Sequence, residues 1–198
     1  MKPTNDYSAA PAYTNGSDRP GNVPPGGYIC KIVQAIESSF ERTGLPCIKV
    51  AIEIVEGEYA GRAREQWQHD KEFRPDAVWP MMLTQATLNK EGGTNPYFKG
   101  LISSIEASNA NYKWDWDERK LAGKMIGIVF REEEYYNKNN ELKTVTRPFY
   151  ACDVLKIRTG VPIPPKKPAR TAAPAPTASI AAESLGAPVD YVDDELPF

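Results

Sequence analysis

An unbroken alternation, PCIKVAIEIVEG at residues 46–57, sets the first requirement on the fold. Ile48, Val50, Ile52 and Ile54 share one face of an extended chain and Lys49, Ala51 and Glu53 the other. A strand presents its side chains to its two faces in turn, so this run reads as a strand with one aliphatic face for a core. Upstream, GYICKIVQAIE also reads as a strand, with Tyr28, Cys30 and Ile32 opposite Ile29, Lys31 and Val33. The polar turn ESSFERTG, ending on Gly44, separates the two. Beyond EGEYAG, a hairpin-like break, GRAREQWQ is expected to form a third strand.

The pattern then changes period. In PYFKGLISSIEASN, Phe98, Leu101, Ile102 and Ile105 recur at spacings of three and four, with Pro96 at the start and Asn109 near the end. That is an amphipathic helix with suitable terminal residues. AGKMIGIVFREEEYY follows as a long strand, NKNNE as a turn, and KTVTRPFYACDVLKIR as a last strand that Pro148 bends or confines to an edge. Three strands, a helix and two strands match a mainly β, five-stranded OB-fold barrel with its helix between strands 3 and 4. A mixed α+β sheet is the competing topology, since order alone does not fix pairing.

Composition confines this signal to the middle of the chain. Residues 1–26 are rich in Pro, Gly, Asn, Ser and Ala and read as a disordered arm. Residues 27–158 form the folded domain. Residues 159–189 carry seven prolines and eight alanines and read as a semi-extended linker. Residues 190–198, DYVDDELPF, hold four acids and no base. No apolar stretch approaches the ~20 residues of a bilayer span, and the first residues lack the apolar core of a signal peptide. Cys30, Cys47 and Cys152 interrupt strand-like runs and are expected as buried thiols in a reducing cytoplasm.

Catalysis finds little support. There is no CxxC, and His69 is the one histidine, so neither a zinc site nor a nucleophile–base pair is expected. GEYAGR and EGGTN are too loose to be phosphate loops. The acids of REEEYY alternate between strand faces and read as a solvated edge. The expectation is a binding protein, not an enzyme, without a cofactor or metal.

The terminal DDELPF, behind a Pro/Ala linker and a small β domain, resembles the tail of bacterial single-stranded DNA-binding proteins. Asp193, Asp194 and Glu195 take its acidic places, Leu196 the aliphatic one, and Pro197 and Phe198 the last two. Phe198 offers a ring and an α-carboxylate, which a pocket and a basic residue of a partner can take together. The acids upstream steer toward a basic rim. The stretch from PGGYICKIV through PYFKGLISSIEASNANYKWDWDERKLAGKMIGIVF is similar to suspected single-stranded DNA-binding proteins of phages and mobile elements of Gram-positive bacteria. The usual N-terminal opening strand of the bacterial family is not found.

The resemblance implies a protein of the bacterial cytoplasm or nucleoid that binds and protects single-stranded DNA in DNA replication, recombination or repair. It implies that the tip recruits other genome-maintenance proteins, and it leaves homo-oligomerisation open. The alternative is an adaptor that does not itself hold DNA. A single-strand binder needs cations for phosphates and aromatic faces for bases. In the expected fold the face of strands 2 and 3 and the loops between strands 1–2 and 4–5 supply them. These regions offer Phe40, Arg42, Lys49, Arg62, Arg64, Trp67, Tyr136 and Lys138, with Tyr135 and Lys143 nearby. The segment QWQHDKEFRPDAVW adds Lys71, Phe73 and Arg74, which suit equally a flap over a bound strand or a loop packed onto the domain. Trp114 and Trp116 are expected to cover the barrel's bottom. Charge alone gives no help, because the chain carries 24 Lys+Arg against 26 Asp+Glu, and any attraction must be local.

Overall fold

The computed structural model describes residues 23–169. The architecture is mainly β. Strands β1 (Gly26–Ser39), β2 (Pro46–Ile54), β3 (Met82–Ala86), β4 (Met125–Tyr136) and β5 (Leu142–Cys152) form one antiparallel sheet in the order β3-β2-β1-β4-β5. Helix α1 (Arg62–Phe73) lies between β2 and β3, α2 (Pro96–Ser108) between β3 and β4, and α3 (Val154–Thr159) after β5. The end strands β3 and β5 approach one another without pairing, so the sheet is not closed.

The alternating run becomes β2, and Val50, Ile52 and Ile54 are fully buried. They meet Ile32 of β1, Ile126 and Ile128 of β4, and Ile105 of α2 in one core. Each such side chain contributes about 1.5–3 kcal/mol on burial. A register shift at Ile32/Gln34 keeps Ile32 and Ala35 of β1 inside and leaves Val33 and Ile36 in solvent. Helix α2 starts where the sequence places it. Asn95 Oδ1 accepts the Tyr97 N–H at 2.9 Å, and Pro96 occupies the first turn. At the other end, Asn109 donates to the carbonyls of Ile105 and Met125 and accepts the Met125 N–H, tying the helix to β4.

Four expectations change. GRAREQWQ is not a strand but the start of α1, because Glu53 at the end of β2 caps it. The two Glu53 carboxylate oxygens accept the N–H groups of Ala63 (3.1 Å) and Arg64 (2.9 Å), which a helix start leaves unpaired. Ala63 and Asp70 then fall on the buried side of the helix. The third strand is instead the five-residue MLTQA of β3, paired to β2 with Leu83 opposite Val50.

The last strand stops at Cys152, and Asp153 caps α3 by accepting the Lys156 N–H at 2.9 Å. Residues 159–169, expected as linker, follow the domain surface: Lys167 bridges to Glu133 of β4 in a parallel sense. Gly127 explains how α3 sits so close, since a Cβ there would lie 2.5 Å from Ile157 Cγ1 and 2.9 Å from the Asp153 carbonyl. The end of the expected arm is also packed: Val23 is buried, and the Tyr28 hydroxyl donates to the Pro24 carbonyl. The rest of the arm, the linker beyond residue 169 and the acidic tip lie outside the described residues. All three cysteines are buried free thiols. Among the described residues no helix is long and apolar enough to cross a membrane.

Candidate nucleic-acid interface

Strand β4 pairs with β1 only from Met125 to Phe130, yet with β5 from Gly127 to Tyr136. Beyond Phe130 the two strands therefore leave the core as a two-stranded ribbon closed by the Asn137–Glu141 turn. Asn137 Oδ1 accepts the N–H groups of Asn139 and Glu141, and Asn140 takes the left-handed conformation at φ 58° that this turn needs.

Alternation sorts the ribbon's side chains. Arg131, Glu133 and Tyr135 share one side with their cross-strand neighbours Arg147, Val145 and Lys143. Phe149, the extra residue of a bulge opposite Val129 and Phe130, joins this side: the Arg131 guanidinium lies 3.8 Å from its ring centroid. Arg131 also donates to Glu133 at 2.7 Å. Arg147 sits directly opposite Arg131, and like charges so placed destabilise a sheet. Glu133 offsets one of the two guanidiniums. No carboxylate among the described residues pairs with Arg147. Among the described residues this side of the ribbon is thus aromatic, with the Arg147 charge left over.

The expected site residues divide into three groups. Tyr136 and Lys138 stand exposed at the ribbon's tip, as the loop between strands 4 and 5 should place them. Arg42 is exposed in the β1–β2 loop, and Lys49 is half-buried on β2 between Ile36 and Thr84 on the adjoining strands. Phe40 cannot serve as a stacking face. It is buried with Cys47 and Ala86, because its backbone bonds with Leu45, Thr43 and Gly44 fold the loop over that cluster.

The third group rides on α1 rather than on a strand. Arg64 and Lys71 face solvent, whereas Arg62 pairs with Glu65 and Arg74 with Asp70. Trp67 donates to the Ala77 carbonyl, its ring lies 5.7 Å from that of Trp79, and Lys71 Nζ covers it at 4.2 Å. Phe73 is half-buried against His69. These aromatics pack the α1–β3 loop onto the domain, and Trp79 completes this by donating to the Ile52 carbonyl at 2.7 Å. Trp116 departs from its expected covering role: it is 75% exposed, at a φ of 67°, beside the half-buried Trp114.

Arg131, Arg147 and Phe149 escaped sequence reading. Their common side depends on the register across the turn and on the bulge at Phe149, and neither is written in the alternation of one strand. Among the described residues no group of three His, Cys, Asp or Glu could hold a metal ion. The sequence matches no protein-family model and no curated protein.

Proposed function

We propose that this chain binds single-stranded DNA along the β4–β5 ribbon and the adjoining face of β1–β2–β3. The strand order, with a helix between β3 and β4, supports an OB-fold whose barrel would close between β3 and β5. One observation carries the reading: the opposed Arg131 and Arg147, with Arg147 lacking a carboxylate partner among the described residues and Phe149 and Tyr135 on the same side. An anion relieves that repulsion, and a flat base has rings to meet. Phosphate and stacking contacts together are how sequence-tolerant binders hold an unpaired strand. In this reading Lys49, Arg42, Tyr136 and Lys138 extend the path, and Arg64 and Lys71 of α1 are secondary contacts. The acidic hexapeptide Asp193–Phe198 recruits replication, recombination or repair proteins.

The test is titration of labelled oligo(dT), and of a duplex of equal length, over a salt series. The unaltered chain should prefer oligo(dT) and lose affinity as salt rises. Arg147→Glu should weaken binding by roughly tenfold or more. Equal binding by Arg147→Glu and the unaltered chain removes the ribbon from the site. No binding at low salt leaves the adaptor reading.

A further inference from the structure

We infer that residues 160–169 are a built part of the ribbon, a strap that neutralises its acidic side and so admits phosphate there. The inference rests on the single-strand reading of the ribbon and adds residues that reading did not contain. Glu132 and Glu134 point to the side opposite Arg131 and Tyr135, and the strand residues across from them are Thr146 and Thr144. From the two strands alone this side holds carboxylates and no base until Lys138 in the turn. Two such charges across a thin ribbon from Arg147 lie within a Debye length of any phosphate bound there, and repel it.

The strap answers this by backbone pairing rather than by loose side-chain contact. The Lys167 N–H donates to the Glu132 carbonyl at 2.9 Å, and the Glu134 N–H donates to the Lys167 carbonyl at 2.9 Å. That register sets Lys166 Nζ 2.8 Å from Glu134 Oε1, and the Ala169 N–H reaches the same carboxylate. Upstream, Val161 and Ile157 fill the space left by the missing Cβ of Gly27, which fixes where the strap begins its run. Pairing along this edge also occupies backbone groups that an open strand would offer to another chain. A segment rich in proline and lysine is thereby turned from a tether into a wall of the binding surface.

The experiment uses the full chain carrying Lys166→Gln, since Lys167, paired with Glu133, lies on the other side of the ribbon. Glutamine keeps the backbone pairing and removes the charge beside Glu134. Oligo(dT) binding at low salt should weaken roughly threefold, with a shallower salt slope. The same substitution introduced into a Glu134→Gln background should cost less, because the carboxylate to be neutralised is gone. Unchanged affinity and slope in Lys166→Gln overturn the strap's role while leaving the ribbon reading intact. A loss undiminished by Glu134→Gln overturns neutralisation and makes Lys166 a direct contact. Failure of the unaltered chain to bind oligo(dT) overturns both readings.

Discussion

Strand β4 has two halves with opposite surroundings. Residues Met125–Phe130 are held by β1 on one edge and β5 on the other, and Ile126, Ile128, Val129 and Phe130 are all within 1% of complete burial. Residues 131–136 have β5 on one edge and, among the described residues, the strap on the other, and every side chain there is at least partly exposed. The same backbone conformation thus serves packing in one half and presentation in the other. The change happens where β1 begins, at the Gly26–Phe130 pair. A strand's role is set by what flanks it, not by its own extension.

The largest effect should come from a side chain at the boundary. Phe130→Ala removes a ring that stands edge-on to Tyr28 at 5.4 Å inside the core, and should cost about 3–5 kcal/mol of unfolding free energy. Tyr135→Ala, five residues on, should cost under about 1 kcal/mol in stability. It should nonetheless weaken oligo(dT) binding by about 1–3 kcal/mol, the worth of one stacked base. Urea denaturation and DNA titration of both variants check the contrast. A Tyr135→Ala loss of stability as large as that of Phe130→Ala would erase the distinction between the halves.

How much of this could be read beforehand follows the same division. The packed half was legible: the alternation of β2, the apolar run of β4 and the three-and-four spacing of α2 each report a face that must be buried. The start of α1 was not. Its RAREQWQ has polar residues at both periods, and what decides for a helix is Glu53, a carboxylate on a neighbouring strand. β3 was missed because five residues give too short a pattern and its partner, not its composition, makes it a strand. On the ribbon, Tyr136 and Lys138 were legible from the turn, but Arg147 and the strap depend on register and on a segment whose prolines suggested a tether.

A smaller effect separates the two regions by pH. Glu53, in the packed region, is 4% exposed, and burial raises its carboxyl above the ordinary 4.5 against the opposing pull of the Ala63 and Arg64 N–H groups. Its contribution to stability is therefore complete below pH 4.5 and is lost as pH rises through the raised value. Glu134, on the ribbon, is held below 4.5 chiefly by Lys166. Its contribution is present above pH 4.5 and is lost as pH falls through the lowered value. Thermal melts from acid to neutral pH should show Glu134→Gln flattening the acid limb. Glu53→Gln should remove a decline on the other side of 4.5, and matching profiles for the two variants would contradict the assignment.

Hydrogen exchange of the full chain with and without oligo(dT), read by mass spectrometry on peptides, bears most directly on the ribbon as the DNA surface. The account predicts new protection in peptides covering residues 131–149 and 160–169, with little change in α2, whose amides the core already protects. Protection confined to α2 and the Trp114–Trp116 loop, with the ribbon exchanging as it does alone, would contradict it.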